Sequence, residues 1–234
     1  MSMIKVYPDS SRFAGDRGWL RSRFSFSFGD YYDAANTEFG ALRVFNDDII
    51  QGGHGFGAHP HREMEIVSVV LKGQLKHEDS TGHTAVTSFG GVQRMSAGTG
   101  IIHSEVNPSD EECHLLQIWF TPGESKLSPS YETTSYDPAE MKNALLPIVS
   151  HRSSKHVAHI HQDLTMYLSR LEPGHSVRFQ QPEGRRIYIF VIEGGLTLDG
   201  SVKLAGQDSA RITEHPELVL ESDAGAMFML IDLP

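Results

Sequence analysis

Residues 55–66 read GFGAHPHREMEI and residues 96–109 read SAGTGIIHSEVNPS. Each stretch carries metal-ligating side chains two positions apart: His59 and His61 in the first, His103 and Glu105 in the second. Residues so spaced on an extended strand point to one face. Two such strands set against each other bring three imidazoles and one carboxylate to a point, which is a mononuclear metal site. Three nitrogens and one oxygen leave an octahedral ion with open positions, where a substrate or dioxygen has room to bind. Pro60 fixes φ between the two histidines, and Gly98 with Gly100 supplies a tight turn ahead of His103. Each histidine also needs an acceptor for its other ring nitrogen, which the sequence does not name.

The surrounding texture is strand after strand. Expected strands are 24–28, 40–44, 48–51, 65–71, 74–78, 84–87, 91–95, 104–107 and 114–121. Turn signals separate them at Asn46-Asp47, the glycine-rich 52–57, Lys72-Gly73 and 80–82. From Pro122 to Pro147 the composition shifts to Pro, Ser, Tyr and Glu, with a helix-compatible stretch over 138–145 behind Asp137 as N-cap. The expected organisation is therefore a first domain over 1–130, a linker with a short helix over 131–147, and a second domain over 148–234.

The two domains share a plan. Val70-Leu71-Lys72-Gly73-Gln74-Leu75 matches Val191-Ile192-Glu193-Gly194-Gly195-Leu196, 121 positions further on. At that offset His59 and His61 correspond to Gln180 and Pro182. Proline cannot ligate a metal and glutamine is a poor substitute for histidine, so the second domain is expected to lack the site.

Composition narrows the function classes. The net charge is −10 with no block of Lys or Arg, which argues against direct nucleic-acid binding, because phosphates need clustered cations. Cys113 is the single cysteine, so no intramolecular disulfide can form, which fits a reducing compartment. Its apolar neighbours in ECHLLQIWF make it a core residue. No N-terminal apolar run resembles a signal peptide, and no window approaches the ~18 apolar residues of a membrane span. A cytoplasmic protein without membrane contact is expected.

Gly53, five residues, His59-x-His61, three residues and Glu65 fit the first motif of the cupin superfamily, with Gly73 closing it one residue late. Gly98-x-Gly100-x-x-His103-x-x-x-Asn107 fits the second, with glycine where proline is usual. More narrowly, the two quoted stretches and RGWLRSRFSFSFGDYYD at 17–33 resemble the pirin family, in its bacterial quercetinase-like branch. The resemblance covers nearly the whole chain. It implies an all-β bicupin: two consecutive jelly-roll β-barrels, with a metal site only in the N-terminal one. It implies His59, His61, His103 and Glu105 as ligands, and sets Glu65, a ligand in many cupins, close by as a supporting residue. Phe56 and His54 are expected at the site mouth, and Gln117 is expected inside the barrel as a pocket or core residue.

The resemblance further implies quercetin 2,3-dioxygenase-type chemistry on a small aromatic, flavonol-like substrate, with O2 incorporation, ring opening and release of carbon monoxide. The expected cofactor is one divalent transition-metal ion, Fe(II) first, with Ni, Co, Mn, Cu and Zn as alternatives. Glu105 would act as general base toward the substrate hydroxyl. The alternative is a non-catalytic, metal- or redox-dependent regulator working through protein partners; an accessible cavity for a planar ligand beside the ion separates the two. His159-Ile160-His161, with His151 and His156 nearby, has no matching second pair and is expected on an exposed strand face. The glycines of 52–57 lack the Lys-Ser/Thr of a phosphate loop.

Overall fold

Alternating polar and apolar residues dominate the chain, and a computed structural model describes residues 3–152 and 154–234 as strands joined by turns, with two short 3-10 segments. No helix among them is long and apolar enough to cross a membrane. The described residues divide into two all-β units. One comprises 13–136, 151, 152 and 154–162; the other comprises 3–12, 137–150 and 163–234.

In the first unit one antiparallel sheet runs Ser130–Ser135, Gly91–Ser96, Glu65–Lys72, Cys113–Phe120, Leu42–Ile50, Leu20–Phe24 and Phe13–Asp16. A second runs Gly55–His61, Ile101–Val106, Gln74–Asp79 and Thr84–Ser88. The cavity between them is lined by Ile66, Gln117, Trp119, Asn46 and Asp48 from the larger sheet and by His59, His61, His103 and Glu105 from the smaller.

Three local expectations are corrected. Asn46-Asp47 is no turn: Leu42–Ile50 is one continuous strand. Asn46 sits opposite Gln117, and Asp47 accepts from His114 Nε2 at 2.6 Å, so both polar side chains have settings within the sheet. The strand expected over 24–28 lies instead at Leu20–Phe24. The glycine-rich stretch becomes a strand from Gly55 onward. A Cβ at Gly55 would lie 2.2 Å from the Glu105 carbonyl oxygen, so only glycine lets the two strands close.

The second unit differs from the boundary drawn at 148. Met3–Tyr7 pairs along Ser209–Thr213, and its alternating Ile4 and Val6 pack on the core of that unit. Residues 154–162 cluster with the first unit, where the His159 and His161 amides donate to Glu132 and Glu65. The expected helix over 138–145 is a single 3-10 turn, Pro138–Met141. Asp137 does cap it, accepting from the Ala139 amide at 2.9 Å, but Asn143 at φ 52 ends any helical path.

The internal repeat appears in three dimensions. Gly73 and Gly194 both have positive φ, 75° and 80°. Each backs onto the start of a strand, at Glu112-Cys113 and Gly225-Ala226. The second interior is closed by apolar side chains, among them Phe179, Ile189, Val191, Leu196 and Phe228. Gln180 is exposed and bonded to Glu217, and Pro182 lies beyond the strand end. Gly194→Ala would force a Cβ to 2.1 Å from the Gly225 carbonyl oxygen in a left-handed backbone. Urea unfolding should show a loss of about 2–4 kcal/mol.

Candidate metal centre

The strand Gly55–His61 lies antiparallel to Ile101–Val106, with His59 opposite His103 and His61 opposite Ile101. This register gathers the imidazoles. Ring centroids are 4.5 Å apart for His59–His103, 4.9 Å for His61–His103 and 4.8 Å for His59–His61. One nitrogen from each lies within 4.8 Å of the other two, a spacing that could hold one ion. A bulge between His103 and Glu105 sets Glu105 opposite Phe56. Glu105 lines the same cavity and forms a second ion-competent group with His77 and His103.

Glu105 is 4% exposed. Ser68 Oγ donates to its Oε1 at 2.9 Å and Gln117 Nε2 to its Oε2 at 2.7 Å. Burial raises its pKa, against the pull of those hydrogen bonds and the nearby histidines. A carboxylate this deep is stable only with donors or a cation around it.

The hydrogen bonds also assign the free lone pairs of His59 and His103. His59 Nδ1 donates to the Gly57 carbonyl at 2.7 Å, leaving a lone pair on Nε2. Behind His103 stands a chain that the sequence reading did not single out. Asp79 Oδ2 accepts from His77 Nε2 at 2.9 Å, and His77 Nδ1 faces His103 Nδ1 at 3.4 Å. Burial disfavours ionised Asp79, but hydrogen bonds from Thr81 and His77 prevail and hold its carboxyl well below the usual range. The Asp79 carboxylate can only accept, so neutral His77 keeps its proton on Nε2 and the proton between the two Nδ1 atoms belongs to His103. His103 Nε2 is then the free lone pair. The Nε2 atoms of both His61 and His103 are buried without a partner. Such orphaned acceptors fit a metal ion that completes them. Burial, reinforced by His59, pushes the His61 imidazole down to about 4. Burial and then His59, His61 and His77 push His103 down to about 3.

The centre opens on a cavity of about 560 Å³ walled by Phe24, Phe28, Phe56 and Trp119, within the range that takes small organic ligands. Phe56 lies edge-on to His59, and Gln117 bridges the two sheets through Glu105. His54 does not line the cavity; its ring stacks beside Trp19. Glu65 is also corrected. Its neighbours Ile66 and Ser68 reach the cavity lining and Glu105, so alternation turns Glu65 to the other face of the sheet. There it is buried, 3.4 Å from His161 Nδ1. His161 thus packs on a buried carboxylate and on Ser96 rather than decorating an open strand face. The signal for His77 and Asp79 is that they share the strand face of the buried Leu75, at two-residue spacing, but assigning them needs the pairing of Glu105 with His77 and His103 with Asp79.

The fold and site define a bicupin with a candidate metal centre in one unit. Residues 7–120 match the Pirin family model, and residues 147–233 match that of the quercetinase C-terminal cupin domain. The chain is 40% identical over 234 residues to the quercetin 2,3-dioxygenase of Escherichia coli K12, covering 99% of both chains. It superposes on the crystal structure of YhhW from Escherichia coli with a TM-score of 0.94 at 38% identity, over 99% of this chain and 98% of the other. The nickel(II) complex of that bacterial pirin gives 0.93 at 37% identity, over 99% of both. The chain belongs to the pirin family.

The depressed histidines set a pH dependence in the metal-free protein. The unfolded chain takes up a proton on His103 near pH 6.5, whereas the folded chain does so only near 3. The stability His103 contributes is therefore full above pH 6.5 and is lost progressively as pH falls toward 3. In chelator-treated protein, the Tm difference between wild type and His103→Gln should change in favour of the variant over that window; a pH-independent difference would refute the assignment.

Proposed function

We propose that this chain is a dioxygenase that holds one divalent transition-metal ion on His59, His61, His103 and Glu105. With O2 as co-substrate it cleaves a flavonol-type aromatic enol and releases carbon monoxide. The observation that carries this reading is the pair of buried, unpartnered Nε2 atoms on His61 and His103 beside an aromatic-walled cavity of about 560 Å³. A regulator built on the same ligands needs no such cavity. The quercetin 2,3-dioxygenase name of the Escherichia coli relative points to the same chemistry.

The bound ion supplies Lewis acidity toward a substrate hydroxyl and a redox partner for O2. We assign Fe(II), since imidazole and carboxylate donors with open positions suit it; Ni, Co, Mn, Cu and Zn are served by the same donors. Glu105 accepts the enol proton. The bonds from Ser68 and Gln117 hold both of its oxygens in place toward the cavity. Phe24, Phe28 and Trp119 receive the flat rings and keep water from them. His77 and Asp79 hold His103 in the tautomer that offers Nε2.

The deciding experiment is anaerobic reconstitution with Fe(II) or Ni(II), addition of quercetin and then O2, with flavonol absorbance and carbon monoxide followed together. Turnover should require both metal and O2. His59→Ala and His103→Ala should lose metal and turnover together, while Glu105→Gln should cut turnover about a hundredfold with a smaller loss of metal. Metal binding without turnover in the wild type, or turnover retained by His103→Ala, would refute the reading.

Asp79→Asn offers an amide N–H2 where His77 now finds an acceptor. Calorimetric titration with Ni(II) should show affinity weakened by about 10–100-fold, with the fold unchanged by circular dichroism.

A further inference from the structure

Glu105 and the histidines account for only part of the polar lining of the cavity. On the larger sheet, Ser22 and Asn46 also line it, from neighbouring strands. They are 5% and 2% exposed, and neither Ser22 Oγ nor Asn46 Oδ1 has a hydrogen-bond partner. Asn46 stands opposite Gln117, whose own amide is committed to Glu105. A polar row therefore crosses the sheet from Glu105 through Gln117 to Asn46, and the pair Ser22–Asp48 follows one step along. Directly opposed residues in a sheet lie about 5 Å apart, so Asn46 is one strand removed from the Glu105 contact. A buried polar group left unpaired costs about 1–3 kcal/mol. Two of them on the wall of a largely apolar cavity mark a place where a ligand group completes the pairing.

The chemistry of that group follows from its surroundings. A hydroxyl and an amide both donate and accept. The cavity's one arginine, Arg17, is exposed and paired with Asp30 at 3.1 Å. A carboxylate or phosphate would find no counter-charge there, whereas a neutral phenolic hydroxyl can donate and accept at once.

We propose that Asn46 and Ser22 bind a hydroxyl on a ring remote from the enol, so that the site selects flavonols hydroxylated on their outer rings over the bare 3-hydroxyflavone skeleton. This rests on the flavonol reading above. Apolar walls discriminate weakly against a missing hydroxyl, but a site built to hydrogen-bond one rejects the analogue that lacks it.

The test is equilibrium binding of quercetin and 3-hydroxyflavone to anaerobic, Ni(II)-loaded protein, read by quenching of tryptophan fluorescence, since Trp119 lines the cavity. Wild type should favour quercetin by about tenfold or more, which is about 1.4 kcal/mol. Asn46→Leu should reduce that preference to less than about twofold. Ser22→Ala removes a single buried oxygen and should lower the preference part-way, which keeps the test decisive if the leucine variant does not fold. Equal affinity of wild type for both flavonols, or an unchanged preference in the folded variants, would overturn the inference and leave the flavonol reading standing. Binding of neither flavonol by wild type would overturn both.

Discussion

Two hydrogen bonds, from Ser68 and Gln117 to the two oxygens of Glu105, tie the smaller sheet of the first unit to the larger one. A carboxylate taken out of water is costly by several kcal/mol unless its lone pairs are met. These donors meet part of that cost and fix the direction of the remaining lone pairs. The same constraint explains why the larger sheet carries polar residues inside a barrel. Ser68 and Gln117 face each other across paired strands, and Asn46 continues the row. Remove the buried carboxylate and Ser68 and Gln117 lose the acceptor that justifies them in a core.

The second unit shows what the plan becomes without this demand. Gly194 repeats the tight backbone approach of Gly73, so the framework is preserved. Where the first unit has histidines, the second has an exposed glutamine and a proline past the strand end, and its interior is closed by Phe179, Phe228 and branched aliphatics. An apolar interior satisfies itself by packing. The first unit gives up part of that packing for a cavity and a set of unsatisfied nitrogens, and it is the unit that could do chemistry.

How much of this was readable in the sequence depended on whether the information was local. His59-x-His61 and His103-x-Glu105 are local, because a strand's two-residue period puts each pair on one face. The partners of those ligands are not. His77 and Asp79 matter only because Gln74–Asp79 pairs with Ile101–Val106, a register that no short stretch specifies. The facing of Glu65 is hidden for a related reason. Its strand is buried on both faces, so Ile66, Val67, Val69 and Val70 give no polar alternation to say which side faces the cavity. Asn46-Asp47 reads as a turn because interior polar residues are rare; only the fold sets Asn46 on the cavity wall opposite Gln117 and gives Asp47 its partner His114.

The strand Gly55–His61 ends its sheet and hydrogen-bonds along one neighbour only. Terminal strands belong to the part of a protein that opens first. An ion held by His59, His61, His103 and Glu105 would fasten this strand to its neighbour and close a loop of roughly 40 residues, as a disulfide would. The chain has one buried cysteine and cannot make that bond any other way. The centre would thus serve as a rivet as well as a reagent, and loss of the ion would loosen the very strand that presents two of its ligands.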